Sequence, residues 1–220
     1  MYVKSRMKSD PVTIGPDASF YEAENLIRSG GIRHLPVVDK KKHVVGLVTD
    51  RDIREAGPSD ASTLSIREMH YLLGKLQVRG IMTPLAKLVT VKPDTIVEKA
   101  AQLMYEHKIG CLPVLDDKKL VGIITETDML ELLVDIVGLN VKGTRITIAI
   151  PDEPGQMFGI LQVINKYDVN IISIVSPTYS VEGRRLAVIR LKTQNVEPIV
   201  NDLKELNYEV TSTVEWPSSE

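Results

Sequence analysis

Residues 45–52 read VGLVTDRD and residues 121–128 read VGIITETD. After a leading valine, each stretch is a glycine, two apolar residues, a threonine, two variable residues and an aspartate. Working outward, the likeness continues. RHLPVVD at 33–39 answers GCLPVLD at 110–116, with Pro36 opposite Pro113. DPVTIGPDASF at 10–20 answers KLVTVKPDTIV at 87–97, pairing Val12 with Val89, Thr13 with Thr90, Pro16 with Pro93 and Asp17 with Asp94. The offset is 77 as far as the turn after Asp39 and 76 from Gly46 onward, so one residue has been lost in that turn. Register held over this distance marks an internal duplication.

Both copies predict the order β-α-β-β-α. A short β-branched segment (12–14; 88–91) reads as a strand. Ser19-x-x-Glu22 and Thr95-x-x-Glu98 have the capping-box pattern that opens a helix. Phe20, Ala23 and Ile27 then recur at helical spacing, as do Val97, Ala100, Ala101 and Met104. Gly30-Gly31 stops the first helix and Lys108 lies just past the second. Two apolar strands follow (LPVV, VVGLV; LPVL, KLVGII), and a last helix starts near Asp52 and near Asp128. Between the copies, GPSDAST at 57–63 is loop chemistry. IREMHYLLGKL places Ile66, Met69, Leu72, Leu73 and Leu76 on one helical face, as expected of a connector packed on the repeats.

The third segment follows a linker that holds Asn140 and Lys142. RITIAI alternates Ile146, Ile148 and Ile150 on one face of a strand. PDEPGQ is a turn, and FGILQVINKY has helical spacing through Phe158, Leu161, Val163 and Ile164. Strands NIISIVS and RRLAVIRLK flank a turn at Gly183, and VEPIVNDLKEL and YEVTSTV supply a final helix and strand. The order β-α-β-β-α-β is that of a ferredoxin-like unit. The chain as a whole is therefore expected to be α+β.

At 220 residues, 43% hydrophobic and 25% charged, the composition is that of one or two folded domains. Lys and Arg number 27 against 29 Asp and Glu, a net charge of −2. No field of one sign draws the chain to nucleic acid or an anionic membrane. Arg184-Arg185 reads as a solvated turn. No run approaches the length of a membrane span, MYVKSRMKSD does not resemble a signal peptide, and the single cysteine, Cys111, has no disulfide partner. A cytoplasmic protein is expected. The four histidines, His34, His43, His70 and His107, show no metal-binding spacing. There is no GxSxG, GxxxxGK[ST] or GxGxxG, so no catalytic or metal-ligating residue and no cofactor is expected.

The G-h-h-T-x-x-D stretches have two chemistries open to them. Thr49 and Thr125 can cap the helices that follow. The same helix starts present free N–H groups and a positive dipole end to a phosphate. The threonine hydroxyl could add a donor, and Asp52 and Asp128 could accept ribose hydroxyls.

The two repeats resemble a tandem pair of cystathionine-β-synthase (CBS) domains, the Bateman module, through the h-P-V segments at Pro36 and Pro113 and the two G-h-h-T-x-x-D segments. The third segment resembles an ACT domain through RITIAIPDEPG, with Asp152, Pro154 and Gly155 in the D-x-P-G turn. In this order they resemble the acetoin utilisation protein AcuB family, as do IRHLPVVD, VVGLVTDRD and YEHKIGCLPV. The resemblance implies CBS domains at 1–61 and 78–137, a connector at 62–77, a linker at 138–143 and an ACT domain at 144–216. It implies a non-catalytic sensor, with AMP, ADP, ATP or S-adenosylmethionine in two clefts. Thr13, Ile14, Arg33, His34 and Pro36 would join Thr125 and Asp128 in one. Thr90, Val91, Ile109 and Pro113 would join Thr49 and Asp52 in the other. Arg33 and His34, against Gly110 and Cys111, predict unequal clefts, the first favouring a phosphorylated ligand. At the ACT turn, Asp152 would hold an α-ammonium group with Asn170 bridging to it, and an amino acid or small metabolite would sit against Pro154 and Gly155. A homodimer is expected, with an output on acetoin or related carbon catabolism. A regulatory subunit that acts on a partner enzyme with vestigial clefts, and an enzyme with an unrecognised site, are the alternatives.

Overall fold

The computed structural model describes residues 1–57, 65–177 and 184–216. The turn at Gly183, nearly all of the loop at 57–63 and the side chain of Ile66 lie outside the described residues. The chain divides into two units, Met1–Met129 and Leu130–Glu220.

The first unit holds both repeats as far as Met129, within the last helix of the second. Strand β1 is Lys8–Ser9, and helix α1 is Phe20–Gly30, capped by Ser19, whose hydroxyl accepts the Glu22 N–H, and stopped by Gly31 at φ 60°. Strands β2 (His34–Val38) and β3 (Val44–Thr49) form a hairpin that leads into α2 (Asp50–Ala56). The connector helix α3 is Ile66–Lys75, opened by a Ser65–Glu68 capping box. The second copy runs through α4 (Val78–Ile81), β4 (Thr83–Pro84), α5 (Val97–His107), β5 (Cys111–Asp116), β6 (Lys119–Thr125) and α6 (Glu126–Ile136).

Three local expectations change. Residues 12–14 and 88–91 are not strands; each copy makes one parallel bridge there, Ile14 with Val37 and Val91 with Val114. Thr95 does not cap α5, because its hydroxyl accepts the Lys92 N–H in the preceding turn and Ile96 takes the cap position. Such local side-chain bonds compete with capping. Among the described side chains of α3, the Leu73 edge packs on the first core, joined by Leu76 just past the helix end, while Leu72 stays exposed.

The repeats are braced by exchanged arms. β1 lies antiparallel on β6 of the second copy, Lys8 opposite Ile123, giving the sheet order β1-β6-β5. β4 lies on β3 of the first copy, Leu47 opposite Thr83, giving β2-β3-β4. Ahead of each arm, Val3 N–H donates to Thr95 O at 2.8 Å and Lys4 N–H to Pro93 O at 2.9 Å. In the other copy Val78 N–H donates to Ala18 O and Arg79 N–H to Pro16 O, both at 2.9 Å. Val3 and Val78 are fully buried in the cores they visit. Gly46 and Gly122 admit the arms. A Cβ on Gly46 would stand 2.8 Å from Thr83 O, and one on Gly122 3.0 Å from Lys8 O. Between the sheets, Leu47, Cys111 and Ile123 form a small shared apolar cluster.

The second unit has the expected β-α-β-β-α-β order: β7 (Gly143–Ile150), α7 (Gln156–Asn165), β8 (Ile171–Val175), β9 (Arg185–Leu191), α8 (Glu197–Glu205) and β10 (Glu209–Trp216). Its antiparallel sheet has the order β10-β7-β9-β8. Ile146, Ile148 and Ile150 face the helices and meet Ile160, Val163, Ile164, Ile199 and Leu203. Phe158 departs from the expected apolar face and is 66% exposed, since Ile160 rather than Phe158 fills the position over the sheet.

Candidate ligand clefts of the paired repeats

The T-x-x-D signature is first a helix cap. Thr49 N–H and Oγ1–H both donate to Asp52 Oδ2 at 2.7 Å, and Asp52 N–H donates back to Thr49 Oγ1 at 3.3 Å. Thr125 and Asp128 repeat the arrangement at 2.7, 2.7 and 3.4 Å. The expectation that the threonine hydroxyl donates to a ligand is therefore corrected: its one proton already goes to the aspartate. Each aspartate keeps its Oδ1 outside these bonds. At each helix start one further N–H is taken by the chain, Asp50 N–H by Arg33 O and Glu126 N–H by Gly110 O, both at 3.0 Å.

A cavity of about 290 Å³ opens where the first copy's strand start meets the start of α6. Val12, Arg33 and His34 of the first copy line it together with Thr125, Glu126 and Thr127 at the start of α6, and Lys8 lines it from the arm laid on β6. The structure thus brings Arg33 and His34 to one cavity with Thr125. Asp128 stands behind Thr125 as its cap. The cavity is cationic at Lys8 and Arg33, and Glu126 is its acidic member. Burial pushes the His34 pKa below its usual 6.5, opposed by Asp50, reinforced by Arg33 and opposed again by Glu126.

Several expected ligand contacts are core residues instead. Ile14 and Val91 are 4% and 6% exposed and pack inside the two repeat cores. Pro36 and Pro113 lie buried in β2 and β5, where their carbonyls accept the N–H of Ile14 and of Val91 at 3.1 Å. Thr13 is exposed outside the cavity lining, and Val12 and Pro11 take its place there. Ile109 packs on the second core, and Thr90 lines a separate open hollow with Lys92 and Lys118. The second group therefore does not gather around Thr49 and Asp52.

The inequality of the two copies has a packing cause. A Cβ on Gly110 would stand 3.1 Å from His34 Nε2 and 3.5 Å from Glu126 Oε2. The imidazole of one copy thus occupies the space that the other copy's glycine leaves open. Cys111, at the position matching His34, is buried between the sheets, and burial pushes its thiol up to about 12.

In the second unit, Asp152 is held by Arg185, with Nη1 3.1 Å from Oδ1. Gly155 takes φ 90° at the start of α7, with open space around its Cβ position, and Pro154 precedes it. Asn170 does not join them. Ile150 pairs with Arg185 at one end of β9, whereas Ile171 pairs with Leu191 at the other. That strand separates Asn170 from Asp152 by roughly 20 Å.

Reading residues alone missed Val3-x-x-x-Met7 and Val78-x-x-x-Met82, the arms themselves. Continuing the repeat leftward, at an offset of 75, would have found them. Lys8 and Glu126 were missed with them.

Two copies of one fold with exchanged arms, capped helix starts and a cationic cavity between them define a paired-repeat module. The CBS domain pattern matches residues 3–59 and 78–135, and a TTHA0829-like ACT domain matches residues 142–213. The chain belongs to the CBS-domain family and carries an ACT domain after the pair. It is 34% identical over 136 residues to a CBS domain-containing protein of Dictyostelium discoideum, covering 61% of this chain and 92% of that one. It is 36% identical over 126 residues to the inosine-5'-monophosphate dehydrogenase of Pasteurella multocida, covering 57% of this chain but spanning only 23% of that enzyme. Among solved structures, a Vibrio cholerae protein assigned to acetoin utilization (AcuB) is similar at 29% identity and TM-score 0.53, covering 63% of this chain and 94% of that one. CBSX2 in complex with AMP is similar at 30% identity and TM-score 0.52, covering 61% and 97%. Among the described residues no helix is long and apolar enough to cross a membrane, and no cluster of His, Cys, Asp or Glu could hold a metal.

Proposed function

We propose that this chain is a non-catalytic sensor that binds an adenosine phosphate, AMP in the first instance, between Arg33-His34 and the start of α6. The cavity that joins these residues carries the reading. Arg33 offers a forked, permanent cation to phosphate, the first turn of α6 adds its dipole end, and Val12 and Ile32 give the adenine an apolar wall. The AMP complex of CBSX2, similar over the pair, supports that ligand class. Calorimetry on the whole chain tests it. AMP binds at one site per chain, and Arg33→Gln weakens binding by about tenfold or more, the scale of a charge-assisted bond. No heat with AMP, ADP, ATP or S-adenosylmethionine, or an unchanged affinity in Arg33→Gln, overturns the proposal.

The output is regulation of other proteins by a cytoplasmic homodimer. The likeness to the AcuB protein favours acetoin or related carbon catabolism as its field. A reading as a detached regulatory subunit has its own support, because the matched region is only 23% of a dehydrogenase's length. Co-purification of an enzyme with the tagged chain separates the two. At the ACT turn an amino acid would place its carboxylate at the start of α7 beside Gly155, and its ammonium group would compete with Arg185 for Asp152.

A further inference from the structure

The ACT sheet has a second face, turned away from α7 and α8, and it carries a charge pattern that packing does not explain. On β7, Ile146 and Ile148 point to the helices, so Arg145 and Thr147 point the other way. On β9, Ile189 and Leu191 point to the helices, so Val188 and Arg190 share the face of Arg145. Arg145 and Arg190 are direct cross-strand partners. Like charges placed opposite each other oppose pairing. Arg190 is moreover only 3% exposed, and among the described residues its Nε and Nη2 have no hydrogen-bond partner. Neither arginine forms an ion pair among the described residues. Its guanidinium carbon stands 5.4 Å from the Trp216 ring centre, a cation–π contact that compensates only part of the burial.

These two arginines line a cavity of about 300 Å³, at the small end of ligand sites. Its other walls are apolar: Val137, Val175, Val188, Val214 and Trp216 among them. The backbone at 137–139 closes one side, tied down by Ser173 Oγ–H to Val137 O and Trp216 Nε1–H to Leu139 O, both at 3.0 Å. Among the described residues no acidic side chain lines the cavity.

We propose that this face binds a small monocarboxylate with a short apolar body, its carboxylate bridging Arg190 and Arg145 and its carbon chain against Trp216 and the valines. A carboxylate accepts the paired N–H groups of a guanidinium, and one placed between two facing cations removes their repulsion. An amino acid is disfavoured, because the lining offers no carboxylate to its ammonium group. The site lies at the Gly143 end of β7, away from the Asp152 turn, and shares no lining residue with the adenosine cleft.

Trp216 is the chain's one tryptophan and reports directly. Hexanoate titrated into the full-length protein changes the tryptophan emission saturably, whereas hexanamide, norleucine and inorganic phosphate do not at the same concentration. Arg190→Met, which exchanges a buried unpaired cation for an apolar chain of similar reach, raises the melting temperature and abolishes the hexanoate response. Arg145→Gln, at an exposed position, weakens that response about tenfold, and it keeps the test decisive should the Met variant fail to fold. No saturable response to hexanoate, an equal response to hexanamide or norleucine, a response to phosphate alone, or full hexanoate affinity in Arg145→Gln each overturns the proposal.

Discussion

Replacing Gly46 by alanine isolates what holds the two repeats together. The new methyl would stand 2.6 Å from Met82 Sδ and 2.8 Å from Thr83 O, where ordinary contact begins near 3.4 Å. The sulfur ends a flexible side chain and can swing away. The carbonyl belongs to the arm that pairs with β3, so the arm must retreat by about 0.6 Å and strain the Gly46–Pro84 and Leu47–Thr83 pairings. Overpacking of this kind costs about 1–3 kcal/mol, and alanine returns about 0.4–1 kcal/mol by restricting the unfolded chain. The net loss centres on about 1.3 kcal/mol, or about 5 °C in melting temperature for a unit of this size. Urea unfolding of the variant measures it, and Gly74→Ala serves as the control. Gly74 lies within α3 with nothing inside 4 Å of its Cβ position, so alanine there stabilises. A cycle with Met82→Ala separates the two contacts. The cost should persist in the Met82→Ala background, because the carbonyl remains. A Gly46→Ala chain as stable as the wild type, or one whose cost vanishes with Met82→Ala, refutes the rigid-arm account.

Three further outcomes are expected. Burial keeps the folded pKa of His34 below 6.5, so the unfolded chain takes up that proton first; stability is whole above about pH 6.5 and declines as pH falls below it, and urea midpoints should show this slope flattened in His34→Gln. Cys111, 4% exposed with its thiol pushed up to about 12, should react with a disulfide reagent only slowly in the native chain and with one equivalent after denaturation; rapid native labelling contradicts the packing between the sheets. Asp52→Asn and Asp128→Asn should each cost about 1–2 kcal/mol in chemical unfolding, since both caps have the same bonds within 0.1 Å, and markedly unequal costs would show that the two helix starts are not equivalent.

The duplication, the hairpins and the third segment's strand order were legible because each rests on a repeated or periodic pattern. Thr49 and Asp52 were placed because a cap is a local interaction over three residues. The arms were not legible: a two-residue strand has no alternation to detect, and Lys8 finds its partner at Ile123, far along the chain. Ile14 and Val91 show another limit. An apolar residue beside a strand reads equally well as core or as the wall of an adenine site, and only the parallel bridges to Val37 and Val114 decide for core. Asn170 was misjudged because strand direction, not nearness to a turn in sequence, sets which loops share an end of a sheet. Arg190 reads as one more solvated charge until its register opposite Arg145 is known.

The exchange of arms has a consequence for how such a chain could arise and how it can be divided. A single copy, alone, would leave β3 with an unpaired rim and its own arm with nowhere to lie. It could complete itself only by lending that arm to an identical neighbour and receiving one in return, the reciprocal trade of a domain-swapped pair. Joining two such copies into one polypeptide makes the trade intramolecular and independent of concentration. It also frees the halves to differ, and Arg33-His34 facing Gly110-Cys111 is a difference that no symmetric pair could hold. Cutting between residues 57 and 65 should therefore not yield two tidy halves. It should yield fragments with bare sheet rims that recombine with each other or aggregate.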